Sequence, residues 1–171
     1  MSTLLLLFFK EETDRFKYKH MAESLSFLPY GACVDHFQHW VYENPNAAPT
    51  ERNQRWLELE SIYLPNRDYD DLCFPKTGGM WQGQLHIYQM PFYYIDYTLA
   101  QTCAFQFWIK SQQDSQKAWR DYVRLCNAGG SLSFTKLVSL AGLEIPFNDG
   151  CLATVVKHVS KWLDEVDPKK L

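Results

Sequence analysis

The chain has 171 residues, of which 46% are apolar and 22% are charged, and this composition excludes an intrinsically disordered protein. The formal net charge of −3 is spread along the chain without a basic stripe, which argues against a nucleic-acid-binding protein. The longest apolar run, LLLLFF at positions 4–9, is much shorter than the roughly 20 residues that span a bilayer, so no membrane segment is predicted.

The five cysteines indicate the compartment. Their number is odd, their spacing is wide and no C-x-x-C pair occurs, so a disulfide framework is not expected. Cys33, Cys103 and Cys126 lie within apolar helical patterns, which predicts buried free thiols. Free thiols are typical of a reducing compartment, and we therefore expect a cytoplasmic protein.

Helices are predicted throughout the first third of the chain. The apolar run at 4–9 indicates the end of a buried helix whose earlier part is missing from this sequence. Apolar side chains at helical spacing predict one long helix over residues 10–43, which Pro29 should kink or break. Thr50 is the expected cap of a second helix, which should end before Pro65.

The remainder also predicts helices. Residues 66–79 should be irregular, and the strongly apolar stretch 81–108 predicts one mostly buried helix with Pro91 in its first turn. Further helices are predicted from Asp114 to Cys126, over 133–140 and from Asp149 to a frayed end after Pro168. We therefore predict an all-α protein, a compact multi-helix array that forms a single unit over residues 1–171.

Two histidines first suggest a metal site. His36 and His39 are three residues apart on the predicted long helix and could share one face. Their spacing differs from that of His-Glu-x-x-His, and no glutamate beside His36 could act as a general base. A hydrogen-bonded structural role is favoured over metal ligation, and we assign no metal ligand in this chain.

A second constellation follows near the middle of the chain. His86 precedes a run of phenols, among which Tyr93 and Tyr97 are four residues apart and should share a helix face. Imidazole and phenol groups can donate hydrogen bonds to an oxyanion in a dry cleft. The alternative is an aromatic core that contains a hydrogen-bonded histidine, and the pattern alone does not separate the two interpretations.

Several motifs occur in the same order as in a known family. Together they resemble the C-terminal part of the oligoendopeptidase F family of zinc metallopeptidases, in the thimet oligopeptidase clan, over about residues 8–165. The motifs that carry the resemblance are FLPY at 27–30, DHFQHWVY at 35–42, QLHI at 84–87, PFYYIDY at 91–97 and GGS at 129–131.

The resemblance implies a helical zinc metalloendopeptidase that cleaves oligopeptides. By position, His86 and Tyr97 correspond to the family's catalytic donors to the tetrahedral intermediate, and Tyr93 and Tyr94 correspond to substrate-binding residues. The family's zinc-binding His-Glu-x-x-His is absent from the five histidines here. The chain is therefore expected to supply the substrate side of the cleft, with zinc in the parent family only, and to be inactive alone.

Because the zinc-binding motif is absent, two kinds of partner and a second function are possible. The partner could be an upstream zinc-bearing segment or a second copy of the chain. Without such a partner, the apolar run at 4–9 should be uncovered. The alternative function is a non-catalytic helical module for peptide binding or complementation. A small enzyme of unrelated chemistry has no positive signal in the sequence.

Overall fold

The computed structural model describes the backbone of residues 2–167 and the side chains of residues 5–167. Helices account for the regular structure of this part, without a strand, which confirms the all-α prediction. The predicted fraying after Pro168 lies outside the described residues. The α-helices are α1 (Ser2–Phe9), α2 (Thr13–Glu43), α3 (Pro49–Tyr63), α4 (Cys73–Lys76), α5 (Leu85–Gln89), α6 (Tyr94–Gln113), α7 (Ser115–Ala128), α8 (Phe134–Leu140) and α9 (Cys151–Asp164).

The described residues divide into two units by their internal contacts. One unit joins the chain up to Leu25 with the chain from Ala100 onward, and the other is Ser26–Leu99. Helices α2 and α6 each contribute residues to both units. The expectation of a single helical unit over residues 1–171 stays a prediction.

The core of the second unit is aromatic and holds α2 against α3. Trp56 and Phe37 are fully buried, and their rings meet edge to face with centroids 5.2 Å apart. Such pairs add to the area that each ring buries. The buried core residues of this unit are Cys33, Val34, Phe37, Trp56, Leu59, Trp81, Ile87 and Tyr94.

Helix α2 continues through Pro29, so of the two expected effects, a kink or a break, the break is wrong. Two residues later, Gly31 allows a close approach between α2 and α6. A Cβ atom at Gly31 would lie less than 3.0 Å from Thr98 Oγ1 and 3.4 Å from Thr98 Cβ. Real Cβ atoms do not approach neighbours that closely, so this contact requires glycine.

The prediction of one buried helix over 81–108 is wrong. The segment contains the 3₁₀ helix Gly79–Gly83, then α5, a turn and the start of α6. Pro91 lies in the turn, because a proline disfavours helical geometry at the residue before it, and Met90 adopts φ −138° and ψ 66°. The stretch is also less buried than expected, with Tyr88, Met90 and Tyr97 between 41 and 54% exposed.

Several helix boundaries differ from the predicted ones. The N-terminus of α3 is at Pro49, and the carboxylate of Glu51 accepts the backbone N–H of Ala48 at 2.7 Å, so Thr50 is not the cap. Helix α9 begins at Cys151, after Gly150 in a left-handed conformation, and not at Asp149. The short α4 interrupts the segment that was expected to be irregular.

The predicted starts of α7 and α8 are confirmed, whereas α2 begins at Thr13 and α7 ends at Ala128. The side chain of Asp114 caps α7 by accepting the N–H of Lys117 at 2.9 Å. Ser133 precedes α8, and Gly142, with φ +62°, follows its end.

In the first unit, one lysine joins three elements. Lys110 Nζ on α6 donates to Asp121 Oδ2 on α7 at 2.7 Å and to the carbonyl oxygens of Ala141 and Gly142 after α8, at 2.9 and 3.1 Å. Asp121 also pairs with Arg124. All three ammonium donors of Lys110 therefore have acceptors.

Helix α1 presents apolar side chains to solvent. Leu7 is 70% exposed and Phe8 is 79% exposed, as expected for an uncovered apolar run, whereas the side chain of Leu4 lies outside the described residues. Among the described helices, none combines the length and apolarity needed to cross a membrane.

All five cysteines are free, as predicted, but their burial differs from the prediction. Cys33 and Cys151 are buried, Cys103 is half-buried, and Cys73 and Cys126 are exposed.

Candidate functional site

Three of the predicted site residues form a cluster at the junction of α5 and α6. His86 Nε2 lies 3.3 Å from the hydroxyl oxygen of Tyr97, although eleven residues separate them in sequence. The ring of Tyr93 stacks on that of His86 at 6.3 Å and meets the ring of Tyr97 edge to face at 5.3 Å. The turn between the helices thus brings together one imidazole and two phenols, which we call the donor cluster.

The donor cluster is accessible from one side and supported from the other. Tyr93 and Tyr97 are each 41% exposed, whereas Tyr94 is 8% exposed and belongs to the core. The Tyr94 ring contacts His86 edge to face at 5.1 Å and Tyr97 at 5.5 Å. Tyr94, expected to bind substrate, is therefore placed beneath the two catalytic candidates.

Two glutamines fix the short helix that carries His86. Gln38 on α2 is fully buried and donates from Nε2 to the backbone carbonyl of His86 at 3.2 Å. The side chain of Gln84, just before α5, donates to the hydroxyl of Tyr30 on α2. A five-residue helix has little stability of its own, so these bonds hold the position of His86.

The sequence pattern identified neither glutamine as a site residue. Gln38 lies beside Phe37 on the buried side of α2, and a polar residue amid core residues was the available signal.

The phenol of Tyr97 stays protonated at neutral pH. Desolvation, followed by the nearby Tyr93 and Asp96, raises the pKa of Tyr97 above its ordinary value. Burial raises the pKa of Tyr94 to about 12. Tyr97 therefore keeps the hydroxyl hydrogen that it needs in order to donate.

The surroundings of His86 favour one tautomer. Its Nδ1 atom is buried without a hydrogen-bond partner, whereas Nε2 faces the hydroxyl of Tyr97. A buried N–H without an acceptor is rarer and more costly than an acceptor left bare. In the neutral ring, the proton therefore belongs on Nε2, which makes His86 a donor toward the cluster.

The two other histidine candidates are occupied by protein contacts. His36 Nδ1 lies 3.1 Å from the hydroxyl of Tyr63, and its Nε2 lies 3.3 Å from a guanidinium nitrogen of Arg55. His39 Nε2 lies 3.6 Å from Asp35 Oδ2. His36 is thus hydrogen-bonded, with Tyr63 and Arg55 rather than with His39, and the choice of a structural role over metal ligation stays a prediction.

The side chains around His36 do not fit a zinc ion. Because guanidinium N–H groups only donate, Arg55 occupies the lone pair that His36 would offer to a metal. Within residues 5–167, no group of three or more histidine, cysteine, aspartate or glutamate side chains could hold a metal ion.

A separate open surface pocket of about 400 Å³ lies between α2 and α3. None of the predicted site residues lines it, and two of its walls, Arg55 and Glu58, pair with each other at 3.1 Å. Its lining consists of Trp40, Thr50, Glu51, Gln54, Arg55 and Glu58.

Comparison with known proteins identifies the lineage. Residues 7–156 match the model of peptidase family M3. A structure described as an oligoendopeptidase F is 56% identical with a TM-score of 0.94, and a PZ peptidase A solved with an inhibitor is 53% identical with a TM-score of 0.92. A third structure, described as an oligoendopeptidase F from Bacillus anthracis str. Ames, is 44% identical with a TM-score of 0.81. No curated protein matches the sequence significantly.

The coverage of these alignments is unequal. They include 98, 95 and 97% of this chain but only 30, 29 and 26% of the respective relatives. The chain thus spans less than a third of the length of the structures it matches, and the donor cluster lies within the matched part.

Proposed function

This chain belongs to peptidase family M3, and from that premise we propose that it forms the substrate side of an oligopeptide-cleaving site. His86 and Tyr97 act as donors to the reacting carbonyl group, and Tyr93 contacts the bound peptide. Tyr94 supports these residues from the core. The zinc ion that the family resemblance implies would be held by residues other than those described here.

The observation that carries the proposal is the contact between His86 Nε2 and the hydroxyl of Tyr97 at 3.3 Å. Two polar groups from different helices meet at an accessible surface, and each can donate a hydrogen bond. A core role would instead bury both rings, yet Tyr97 is 41% exposed. The single orphaned atom of the imidazole, Nδ1, faces inward, which leaves the donating side toward the peptide.

Donors of this kind act on the transition state. When a peptide bond is hydrolysed, the carbonyl carbon becomes tetrahedral and its oxygen gains negative charge. Hydrogen bonds to that oxygen are stronger in the transition state than in bound substrate, so they increase kcat more than they lower KM. The loss of one such donor typically costs on the order of a hundredfold or more in rate.

The test uses a chimera, because the relatives are longer than this chain. The chain replaces the matching 30% of the oligoendopeptidase F with which it shares 56% identity, and cleavage of a quenched fluorescent peptide is measured. Tyr97→Phe removes only the hydroxyl and should lower kcat by about a hundredfold, with metal content and Tm unchanged.

A matched control separates donation from packing. Tyr122 on α7 is 46% exposed and lies outside the donor cluster, so Tyr122→Phe should leave kcat within a few-fold of the parent chimera. If Tyr97→Phe also leaves kcat within a few-fold and lowers only Tm, Tyr97 is a core residue and the proposed role is wrong.

A further inference from the structure

The turn between α5 and α6 places a phenylalanine where its backbone favours glycine. The N–H of Tyr93 donates to the carbonyl of Met90 at 3.3 Å, which closes a four-residue turn with Pro91 and Phe92 at its centre. Phe92 has φ +62°. Proline followed by a residue of positive φ is the pattern of a type II turn, in which glycine or asparagine normally occupies the third position. A bulky side chain there strains the backbone.

The ring of Phe92 is held at the surface between two others. It lies 4.7 Å from the ring of His39 and 5.1 Å from the ring of Tyr42, both on α2. Phe92 is 41% exposed, Tyr42 is 48% exposed and the His39 side chain is 57% exposed. The fold therefore retains a strained residue without using it to fill the core. We call these three rings the aromatic platform.

The aromatic platform lies near the donor cluster. Phe92 immediately precedes Tyr93, whose ring stacks on that of His86. Gln38, next to His39 on α2, donates to the carbonyl of His86 at 3.2 Å. A peptide whose carbonyl group meets His86 and Tyr97 would extend over neighbouring surface, and the platform offers exposed apolar surface there. Residues with strained backbone conformations cluster at ligand-binding positions. A substitution that relaxed the backbone there would also remove the side chain that contacts the ligand.

We propose that Phe92, together with Tyr42 and His39, binds a bulky apolar side chain of the peptide and thereby selects substrates. This assignment rests on the proposed function, because it takes the peptide to be anchored at the donor cluster. The occupant is aromatic or large and aliphatic, since exposed rings gain most from covering by apolar atoms. An acidic or alanine side chain at the same position gains little.

The test measures peptide binding by the chain itself. Short fluorescein-labelled peptides, each with one phenylalanine at a different position among alanine and serine, are titrated and followed by anisotropy. One position should bind about tenfold more tightly as phenylalanine than as alanine, the order of discrimination that an apolar contact provides. In Phe92→Gly this preference should fall to within about twofold.

The backbone of Phe92 makes the substitution diagnostic. Glycine accepts positive φ without strain, so Phe92→Gly should leave Tm unchanged or raise it while the preference is lost. Phe92→Asn, which also tolerates this conformation, should behave alike. As a control, Phe74→Ala removes a ring that is 56% exposed in the same unit, and this variant should retain the preference.

The outcomes separate this assignment from the proposed function. Binding that prefers phenylalanine equally in the parent and in Phe92→Gly overturns the aromatic platform alone, as does a marked loss of Tm in both Phe92 variants. If the parent chain binds none of the peptides, the aromatic platform is refuted, whereas the proposed function stands or falls with Tyr97→Phe in the chimera. Tyr97→Phe should keep the apolar preference, because it leaves the platform unchanged.

Discussion

The contact between Gly31 and Thr98 should control both stability and the donor cluster. Gly31→Ala adds one methyl group at a position where α2 and α6 nearly touch. The new Cβ would lie less than 3.0 Å from Thr98 Oγ1, and Phe27 Cζ, at 3.8 Å, limits movement to the side. Either the Thr98 side chain rotates or the start of α6 moves away from α2.

Two opposing effects set the size of the change. Alanine is about 1 kcal/mol better than glycine in a helix interior. Overpacking a close contact typically costs about 1–3 kcal/mol, and an overlap this deep belongs in the upper part of that range. The net destabilisation should therefore be about 1–2 kcal/mol, which for a chain of this length lowers Tm by roughly 2–8 °C.

The same displacement should reach the site. Tyr97 directly precedes Thr98 on α6, and its hydroxyl lies 3.3 Å from His86 Nε2. Moving α6 lengthens that contact, so Gly31→Ala in the chimera should lower kcat more than KM changes.

Thermal unfolding of three variants provides the measurement. Gly31→Ala should lower Tm, and the double variant Gly31→Ala with Thr98→Ala should recover at least part of the loss, because it removes the atom that clashes. Thr98→Ala alone supplies the baseline for the coupling. A Tm for Gly31→Ala at or above that of the parent, or no recovery in the double variant, would refute this account of the contact.

Three further predictions concern other parts of the chain. The hydrogen bond from Lys110 lowers the pKa of Asp121. The stability that this pair contributes is therefore complete above about pH 4 and is lost as the pH falls toward the lowered pKa of Asp121. Asp121→Asn should flatten the acid limb of a curve of Tm against pH. Cys126 is exposed, whereas burial raises the pKa of Cys33 to about 12. A thiol reagent should therefore label Cys126 rapidly and Cys33 only after unfolding. Equal labelling rates of the two thiols in the native chain would contradict the structure. Phe8→Glu on the apolar face of α1 should reduce binding of a hydrophobic dye without lowering Tm, and unchanged dye binding would show that this helix is not the main exposed apolar surface.

The sequence predicted the helices better than the turn that builds the site. Apolar spacing and the Asp114 cap are local signals, and α7 followed them. The stretch around Pro91 failed because a continuous apolar run hides a turn, although the proline itself restricts Met90. The pairing of His86 with Tyr97 depends on that turn, so the sequence could nominate both residues but not their contact.

Burial was the second property that the sequence did not determine. Tyr93 and Tyr94 are neighbours of the same residue type, yet one is 41% exposed and the other 8% exposed. The difference arises because Tyr94 begins α6 and faces Tyr30 and Phe27 of α2, which a pattern of identical side chains cannot reveal.

The uninterrupted course of α2 through Pro29 has a consequence for how this helix opens. Proline has no amide hydrogen, so the carbonyl of Leu25 receives no bond from the position four residues later, and the ladder of α2 has a gap there. The gap falls where the chain passes from one contact unit to the other. Amide protons on the two sides can therefore exchange with solvent in separate opening events, so that a single continuous helix comprises two cooperative segments.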